Sequence, residues 1–294
     1  MTSAAPFGRV LTAMVTPMTA DGAVDLARVA ELADRLVEQG NDGLVVSGTT
    51  GEAPTTSRAE KADLLRAVVD AVAGRAHVVA GVGSYDTASS VELACDAVAA
   101  GATGLLSVTP YYSKPPQAGI IAHTAAIAAA ADLPVMLYDI PARTGIPLRH
   151  PTLVELAAHP SVVALKDAKD DLAATSLVLA ETDLAVYSGT DALNLPLLAL
   201  GAVGLVSVVS HVVTFQLCEL LDAYARGDVT AAAALNLRLQ PVYTGLFRTQ
   251  GAILSKAALS LVGFPVGPVR LPLLDATEEQ MNVLRHDLTA AGVL

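Results

Sequence analysis

Short apolar runs recur along the chain, and longer segments of mixed apolar and polar residues separate them. With the polar residues that end them, the runs are LTAMVTP from Leu11, GLVVSGT from Gly43, HVVAGVG from His77, GLLSVTP from Gly104, PVMLYDI from Pro134, VVALKDA from Val162, LAVYSGT from Leu184 and GLVSVVS from Gly204. Near-continuous hydrophobicity of this kind is typical of strands that are buried on both faces. The pattern therefore predicts eight buried strands.

The segments between these runs carry apolar residues at helical spacing, as in 26–39, 59–73, 88–100 and 118–131. Helix-start signals precede three of them: Asp25, the capping-box pair Ser57 and Glu60, and Asp86 or Thr87. Glycines stand where three of the helices should end: Gly40, Gly74 and Gly101. We therefore expect strands and helices to alternate.

Eight alternations within about 210 residues favour a (β/α)₈ TIM barrel over an open doubly wound sheet. No G-x-G-x-x-G follows the first run, which removes the commonest reason to expect a dinucleotide-binding fold. We predict that residues 1–225 form the barrel and that 226–294 form a C-terminal helical extension of the same domain. The helix-breaking residues Gly227, Pro241, Gly263 and Pro265 should divide this extension into pieces.

Composition limits the class of partner. The formal net charge is -11, which argues against binding to nucleic acid because phosphates demand a basic surface. The uncharged stretch 192–218 is long enough to cross a bilayer. It is interrupted by Pro196, Gly201 and Gly204, so a short helix, a turn and a buried strand are expected instead of a membrane span.

Two cysteines, Cys95 and Cys218, lie far apart in apolar, helix-like segments. We expect both to be buried free thiols, and a cytoplasmic location follows because a reducing compartment keeps thiols unpaired. The N-terminal sequence lacks the apolar region of a signal peptide, which favours the same location.

Polar residues gather at the predicted strand ends, where barrels of this class carry their active sites. Strand two ends in Ser47–Glu52, strand four in Thr109–Tyr112, strand five in Tyr138 and Asp139 followed by Arg143, strand six in Lys166 and Asp167, and strand seven in Ser188 and Gly189.

Lys166 is the most informative of these residues, because only this lysine of five directly follows a buried-strand run. Strand alternation places it on the face of Val162 and Ala164, which predicts that it points into the barrel. Burial there lowers the amine pKa from about 10.4 towards neutrality, which leaves a free amine for attack on a carbonyl. A lysine that extends to the rim or pairs with Asp167 fits the spacing equally well. Lys256 is a rival, although burial of its aliphatic stem in a helix outside the barrel explains it better.

The other strand-end residues could move protons and bind an anion. Tyr111, Tyr112 and Tyr138 are either proton-relay groups beside threonine hydroxyls or tyrosines of a structural interface. The guanidinium of Arg143 could bind a substrate carboxylate, and an ordinary salt bridge to an acidic residue of the protein fits the sequence about as well. The absence of HExxH and of a Cys/His cluster disfavours a metal-dependent aldolase, and no glycine-rich phosphate cradle follows strand eight.

Five motifs together resemble one family. GTTGE (Gly48–Glu52), TPYYSKP (Thr109–Pro115), YDIPARTG (Tyr138–Gly145), LKDA (Leu165–Ala168) and SGTD (Ser188–Asp191) occur in the order of the pyruvate-dependent class I aldolases. Among these aldolases the resemblance is closest to the dihydrodipicolinate synthases, and it runs from about Gly8 to the C-terminus. One departure is Thr190, which stands where an acid is common in the family.

The resemblance implies a Schiff-base condensation of pyruvate with L-aspartate-4-semialdehyde on the path to diaminopimelate and lysine, with no organic cofactor and no metal. It implies a homotetramer of two tight dimers. By the same resemblance, Lys166 is the Schiff-base amine and Tyr138 is the proton donor and acceptor. Thr49 and a neighbouring subunit's Tyr112 form the rest of the proton relay. The resemblance also implies that Thr50 and the backbone at Val206 bind pyruvate, that Gly189 leaves room for it, and that Arg143 binds the semialdehyde carboxylate.

Two rival interpretations remain. N-acetylneuraminate lyases and 2-keto-3-deoxy-sugar-acid aldolases also resemble this chain. The lyases typically read GSTGE where this chain has GTTGE with Thr49, and both groups usually lack the arginine that is Arg143 here. A non-catalytic barrel that senses a keto acid would have been favoured by loss of Lys166 or Tyr138, and both are present.

Many members of the family bind L-lysine as a feedback inhibitor near the segment after GTTGE. The corresponding positions here are Ala53, Pro54, Arg58, Lys61, Tyr85 and Ser89. Because the usual acid is missing and the two cations would repel the ligand's ammonium groups, we expect L-lysine to inhibit weakly or not at all. Glu92 or Asp86 could replace the missing acid.

Overall fold

Eight parallel strands close into a barrel in the computed structural model, which describes residues 5–294. The strands are β1 (Val10–Ala13), β2 (Gly43–Val46), β3 (His77–Gly81), β4 (Gly104–Val108), β5 (Val135–Asp139), β6 (Val162–Asp167), β7 (Ala185–Ser188) and β8 (Gly204–Ser207). Each strand pairs with its neighbours in sequence, and β1 pairs with β8. The predicted TIM barrel and its eight strands are confirmed.

Helices follow the strands and cover the barrel. They are α1 (Leu26–Glu38), α2 (Arg58–Val72), α3 (Thr87–Ala99), α4 (Gln117–Ala130), α5 (Pro141–Thr144), α6 (His150–Ala157), α7 (Leu172–Glu181), α8 (Asn194–Leu200), α9 (Ser210–Ala225), α10 (Val229–Leu246), α11 (Gly251–Leu261) and α12 (Glu278–Ala290). Two single 3₁₀ turns lie at Ala53–Thr55 and Asp191–Leu193.

The predicted helix boundaries are confirmed at their caps. The side chains of Asp25 and Asp86 accept hydrogen bonds from the first turns of α1 and α3, and Ser57 forms the capping box with Glu60. Gly40, Gly74 and Gly101 all have positive φ angles, the conformation that a helix-ending glycine supplies most easily.

Side chains fill the barrel interior and close its N-terminal end. Phe7 is fully buried beneath the strands, and its backbone N–H donates a 3.1 Å hydrogen bond to the Tyr187 hydroxyl. A side chain at Gly104 would collide with the Phe7 ring at 2.3 Å, so the start of β4 must be glycine for the ring to fit. The opposite end of the barrel is therefore the end that is available for a site.

The structure corrects one expectation about the C-terminal extension. Gly227 and Gly263 lie between helices as predicted, but Pro241 lies inside the continuous helix α10. Its neighbours Leu239 and Val242 are fully buried, and this packing keeps the helix intact although proline removes one backbone hydrogen bond. Helix α10 packs against α9 and α12, and the predicted border at residue 225 stays a prediction.

The predicted burial of the cysteines is wrong for Cys95, which is exposed, while Cys218 is partly buried. Both thiols are free. Helical periodicity explains the error, because Ser90, Ala94 and Ala97 form the buried face of α3 and Cys95 points away from it.

The uncharged stretch 192–218 contains α8, the turn at Gly201, β8 and the start of α9, as expected. Across residues 5–294, no helix combines the length and the apolar character that crossing a bilayer requires.

Candidate active site

Lys166 and Tyr138 lie side by side at the C-terminal ends of β6 and β5. The two residues are partners in the strand register, so alternation points both side chains to the same face, into the barrel. The Lys166 Nζ lies 4.3 Å from the centre of the Tyr138 ring, and each residue is only 5% exposed. The adjacent strands thus place an amine and a phenol together in a buried environment.

Burial lowers the pKa of Lys166 to about 8, because the ammonium form loses its hydration inside the barrel. The negative charge of Asp191 raises this pKa and the positive charge of Arg143 lowers it, and both effects are smaller than desolvation. The alternative positions for Lys166 are not observed. It does not reach the rim, and Asp167 instead accepts hydrogen bonds from the Lys169 backbone N–H at 3.0 Å and the Thr175 hydroxyl at 2.5 Å.

Burial raises the pKa of Tyr138 to about 12, while the Arg143 charge and a hydrogen bond with the Thr49 side chain lower it by smaller amounts. The phenol is therefore protonated at neutral pH and can donate its proton. Thr49 lines the same cavity, so its hydroxyl is a neighbouring group that can exchange a proton with the phenol.

A cavity of about 430 Å³ opens at this end of the barrel. Six of the predicted site residues line it: Thr49, Thr50, Tyr138, Arg143, Lys166 and Gly189. A Cβ atom at Gly189 would lie 3.0 Å from the Lys166 Cγ and 2.9 Å from the backbone oxygen of Asp167. Glycine at this position therefore leaves room beside the lysine stem.

Two predicted site residues do not line this cavity. Val206 is buried in the barrel interior, and Val208, two residues further along, lines the cavity instead. Tyr112 is 91% exposed and has a φ of 69°, an unusual conformation for a tyrosine. Its neighbour Tyr111 lines an adjoining apolar cavity of about 220 Å³ and makes an edge-to-face contact with Tyr85.

The sequence interpretation assigned no role to Asp191, although this residue ends the SGTD motif. Its carboxylate is buried and accepts hydrogen bonds from the Ser207 hydroxyl at 2.5 Å and from the backbone N–H groups of Val208 and Val209 at 2.9 and 3.1 Å. Desolvation raises its pKa, and these hydrogen bonds oppose the rise. An acid three residues after a buried strand could have indicated this function in organising the end of β8.

The C-terminal extension supplies further cavity residues that the sequence did not reveal. Tyr243 from α10, Phe247 after it and Gln250 before α11 all line the cavity of Lys166. No local pattern distinguishes them from other helix residues, because their placement depends on how the extension packs over the barrel mouth.

An ion pair between the partly buried Lys169 and the buried Asp139 supports the ends of β5 and β6 from the outer side. The Lys169 Nζ lies 3.2 Å from the Asp139 Oδ2 and donates to the Leu148 carbonyl at 3.0 Å. Burial raises the pKa of Asp139, and the Lys169 charge opposes this rise. The Lys169 ammonium thus compensates the negative charge of Asp139, the residue that follows Tyr138 in the chain.

The segment after GTTGE differs from the expectation in one respect. Arg58 is not an unpaired cation, because its guanidinium binds both Glu92 and Asp96. Glu92, one candidate for the missing acid, is therefore already paired. The Lys61 ammonium donates to the Thr56 carbonyl, and burial lowers its pKa.

Within residues 5–294, no group of three or more His, Cys, Asp or Glu side chains is arranged to hold a metal ion. The polar groups of the cavity are an amine, a guanidinium, hydroxyls, an amide and two carboxylates. This set can bind an acid and carry out nucleophilic and proton-transfer chemistry on a carbonyl.

Known proteins share both the sequence and the fold. The Dihydrodipicolinate synthetase family profile matches residues 6–291. The 4-hydroxy-tetrahydrodipicolinate synthase of Acidothermus cellulolyticus is 63% identical over 98% of this chain and 94% of its own length. 4-Hydroxy-tetrahydrodipicolinate synthase 2 of Streptomyces coelicolor is 60% identical over 98% and 96%.

The crystal structure of DHDPS from Cyanidioschyzon merolae with lysine bound has a TM-score of 0.96 and 44% identity to this chain, and the match covers 98% of this chain and 99% of that chain. The family match spans nearly the whole sequence, and the barrel agrees with the solved fold. The chain therefore belongs to the dihydrodipicolinate synthetase family.

Proposed function

We propose that this protein is a 4-hydroxy-tetrahydrodipicolinate synthase, a Schiff-base lyase that condenses pyruvate with L-aspartate-4-semialdehyde for diaminopimelate and lysine biosynthesis. The observation that carries the proposal is the buried amine of Lys166, whose pKa is lowered to about 8, beside the protonated phenol of Tyr138 in a cavity that also contains Arg143. The names of the relatives at 63% and 60% identity support it.

In the first step, the free Lys166 amine attacks the C2 carbonyl carbon of pyruvate. The nitrogen loses one proton as the carbonyl oxygen takes one, which gives a carbinolamine. The hydroxyl of this carbinolamine takes a second proton and leaves as water, which gives an iminium ion. Tyr138 supplies and recovers these protons with Thr49 and a partner's Tyr112. Thr50 holds pyruvate together with the backbone at Val206, which lies below the cavity at the end of the barrel strand that leads to Val208.

In the second step, loss of a proton from the pyruvate methyl group gives an enamine. The enamine carbon attacks the aldehyde carbon of the semialdehyde, so a carbon–carbon bond forms and the aldehyde oxygen gains a proton. The amino group of the semialdehyde then attacks the imine carbon, closes the ring and displaces the Lys166 amine. Arg143 binds the semialdehyde carboxylate through a charge-assisted contact.

The chemistry uses only an amine and side-chain acids and bases, so the proposed reaction needs neither an organic cofactor nor a metal. We place the enzyme in the cytoplasm, where the two free thiols stay reduced.

The proposed assembly is a homotetramer of two tight dimers. Tyr85 and Tyr112 are large aromatic residues that are 63% and 91% exposed, and an exposed aromatic cluster is typical of an interface. In the proposed dimer, Tyr112 completes the proton relay of the neighbouring subunit.

The activity is tested by incubating the purified protein with pyruvate and aspartate semialdehyde and following product formation with a coupled reductase. Matched reactions contain pyruvate with N-acetylmannosamine or with glyceraldehyde. We expect turnover with the semialdehyde and a borohydride-trapped pyruvate adduct on the peptide that contains Lys166. An adduct on Lys256, trapping by Lys166→Ala, or preference for a sugar aldehyde would reject the proposal.

The role of Tyr112 is tested by complementation between two inactive variants. Lys166→Ala and Tyr112→Phe should each have low activity alone. Co-expressed subunits should regain activity, because a mixed dimer contains one site with both native residues. Absence of recovery in isolated mixed dimers would contradict a relay group supplied by the partner.

A further inference from the structure

A buried ion pair joins the GTTGE turn to the C-terminal extension, and the proposed chemistry does not use it. The Glu52 Oε1 lies 2.7 Å from the Lys256 Nζ, and the two side chains are 1% and 4% exposed. Lys256 thus has its whole side chain buried, including the ammonium group, and not only the aliphatic stem that the sequence suggested.

Both partners of the pair are fixed by further hydrogen bonds. The Glu52 Oε2 accepts from the Arg270 backbone N–H at 2.8 Å, and the Lys256 Nζ donates to the Pro268 carbonyl at 2.5 Å. The Arg270 side chain also donates to the Thr55 carbonyl at 2.8 Å. The segment after α11 is therefore attached to the turn after β2 at several points.

The ion pair lies next to the proposed relay residues in the chain. Glu52 is in the left-handed conformation, with a φ of 56°, and its N–H donates to the Thr49 carbonyl at 3.2 Å. The Thr16 hydroxyl donates to the Gly51 carbonyl at 2.6 Å. A shift of the Glu52 side chain would therefore move the short turn that carries Thr49 and Thr50.

Lys256 is connected to the same cavity from the other side. It belongs to α11, and Gln250 and Gly251 at the start of this helix line the cavity of Lys166. The pair thus links two walls of one cavity that are about 200 residues apart in the sequence.

Stability alone does not explain the choice of charged residues here. Hydrophobic pairs of similar volume generally stabilise a protein as well as a buried ion pair does, because removing two charges from water costs free energy. An ion pair whose two partners also make hydrogen bonds to the backbone, however, fixes distance and orientation more narrowly than apolar packing does.

We propose that Glu52 and Lys256 are positioning residues, whose ion pair holds the Thr49–Thr50 turn against α11 so that the Thr49 hydroxyl stays aligned with Tyr138 and the Thr50 side chain faces pyruvate. The proposal rests on the proposed function for the roles of these threonines. It adds that the C-terminal extension is part of the machinery that aligns the relay.

The test uses the full-length protein and the variants Lys256→Met, Glu52→Gln and the double variant with both changes. Arg248→Met is the matched control, because it breaks the Arg248–Asp287 pair at 2.9 Å within the extension without touching the turn. Thermal unfolding is measured for each variant, and kinetics are compared at a temperature at which all are folded.

We expect Lys256→Met to slow pyruvate trapping and kcat on the order of tenfold or more and to raise the KM for pyruvate, since small misplacements of catalytic groups have large effects on rate. The double variant should recover thermal stability relative to the single variants, because no unpaired charge stays buried, but its trapping rate should stay low. Arg248→Met should trap pyruvate at the native rate.

If the double variant traps pyruvate at the rate of the unmodified protein and has the same KM for pyruvate, the proposal is overturned and the pair has only a structural role. If Lys256→Met does not fold, Glu52→Gln gives the decisive comparison, with the same slow trapping expected, because it keeps the shape of the side chain and one acceptor oxygen but removes the negative charge. Pyruvate trapping does not need the second substrate, so failure of the semialdehyde assay would reject the proposed function without affecting this test.

Discussion

The ionisation of Lys166 gives the most direct quantitative prediction. With a pKa of about 8, about one tenth of the amine is free at pH 7, whereas an ordinary lysine of pKa 10.5 has only ~0.03% free amine, a difference of about 300-fold. The cause is desolvation in the barrel, so the advantage should depend on the folded cavity and not on the local sequence.

The assay is competitive labelling with a trace of acetic anhydride across pH 6 to 10, with mass spectrometry of the Lys166 peptide. The exposed residue Lys114 in the same sample serves as the internal reference. We expect Lys166 labelling to rise about tenfold per pH unit below pH 7 and to level off above about pH 9, since only the neutral amine reacts.

Arg143→Ala supplies a second perturbation with a defined sign. The Arg143 charge lowers the pKa of Lys166, so its removal should move the labelling midpoint to higher pH. A native midpoint near 10 would refute the desolvation argument for this lysine. A downward movement in Arg143→Ala would refute the effect assigned to the Arg143 charge.

Three further predictions concern the substrate carboxylate, the pH dependence of stability and regulation. Arg143→Ala should lower kcat/KM for the semialdehyde at least about tenfold while pyruvate trapping at pH 9 stays near native, because loss of a charge-assisted contact costs about 1.5–3 kcal/mol; an unchanged kcat/KM would reject the assignment. Burial lowers the pKa of His211 from 6.5 to about 4. Between these two pH values the histidine is therefore protonated in the unfolded chain and neutral in the folded chain. Urea titrations should show the free energy of unfolding falling by up to about 3 kcal/mol from this source between pH 6.5 and 4, and His211→Gln should lack that part of the slope; equal slopes in the two proteins would contradict the prediction. Millimolar L-lysine should leave the initial rate nearly unchanged, because Glu92 and Asp96 already form ion pairs with Arg58. Clear inhibition below 1 mM would show that other acceptors bind the ammonium groups of L-lysine.

Much of the barrel could be predicted because its signals are local. The run VVAL before Lys166 marks a buried strand, and alternation alone indicates which face the lysine occupies. The caps at Asp25 and Ser57 likewise involve residues three positions apart. The structure agrees with these expectations because neighbouring residues decide them.

The sequence was less informative where packing decides the outcome. Pro241 predicts a break, yet buried neighbours keep α10 continuous. Cys95 lies in an apolar segment, yet it is exposed because another face of α3 packs on the barrel. In both cases tertiary packing, which decides the helix face that becomes buried, overrides the local sequence signal.

The sequence by itself determined the barrel, the strand ends and the identity of Lys166 as the candidate amine, because periodicity of two and of 3.6 residues needs only nearby positions. Only the tertiary structure placed Lys166 against Tyr138, brought Tyr243 over the cavity and paired Glu52 with Lys256. These contacts join residues far apart in the chain, and they form only when closure of the barrel and docking of the extension remove the side chains from water.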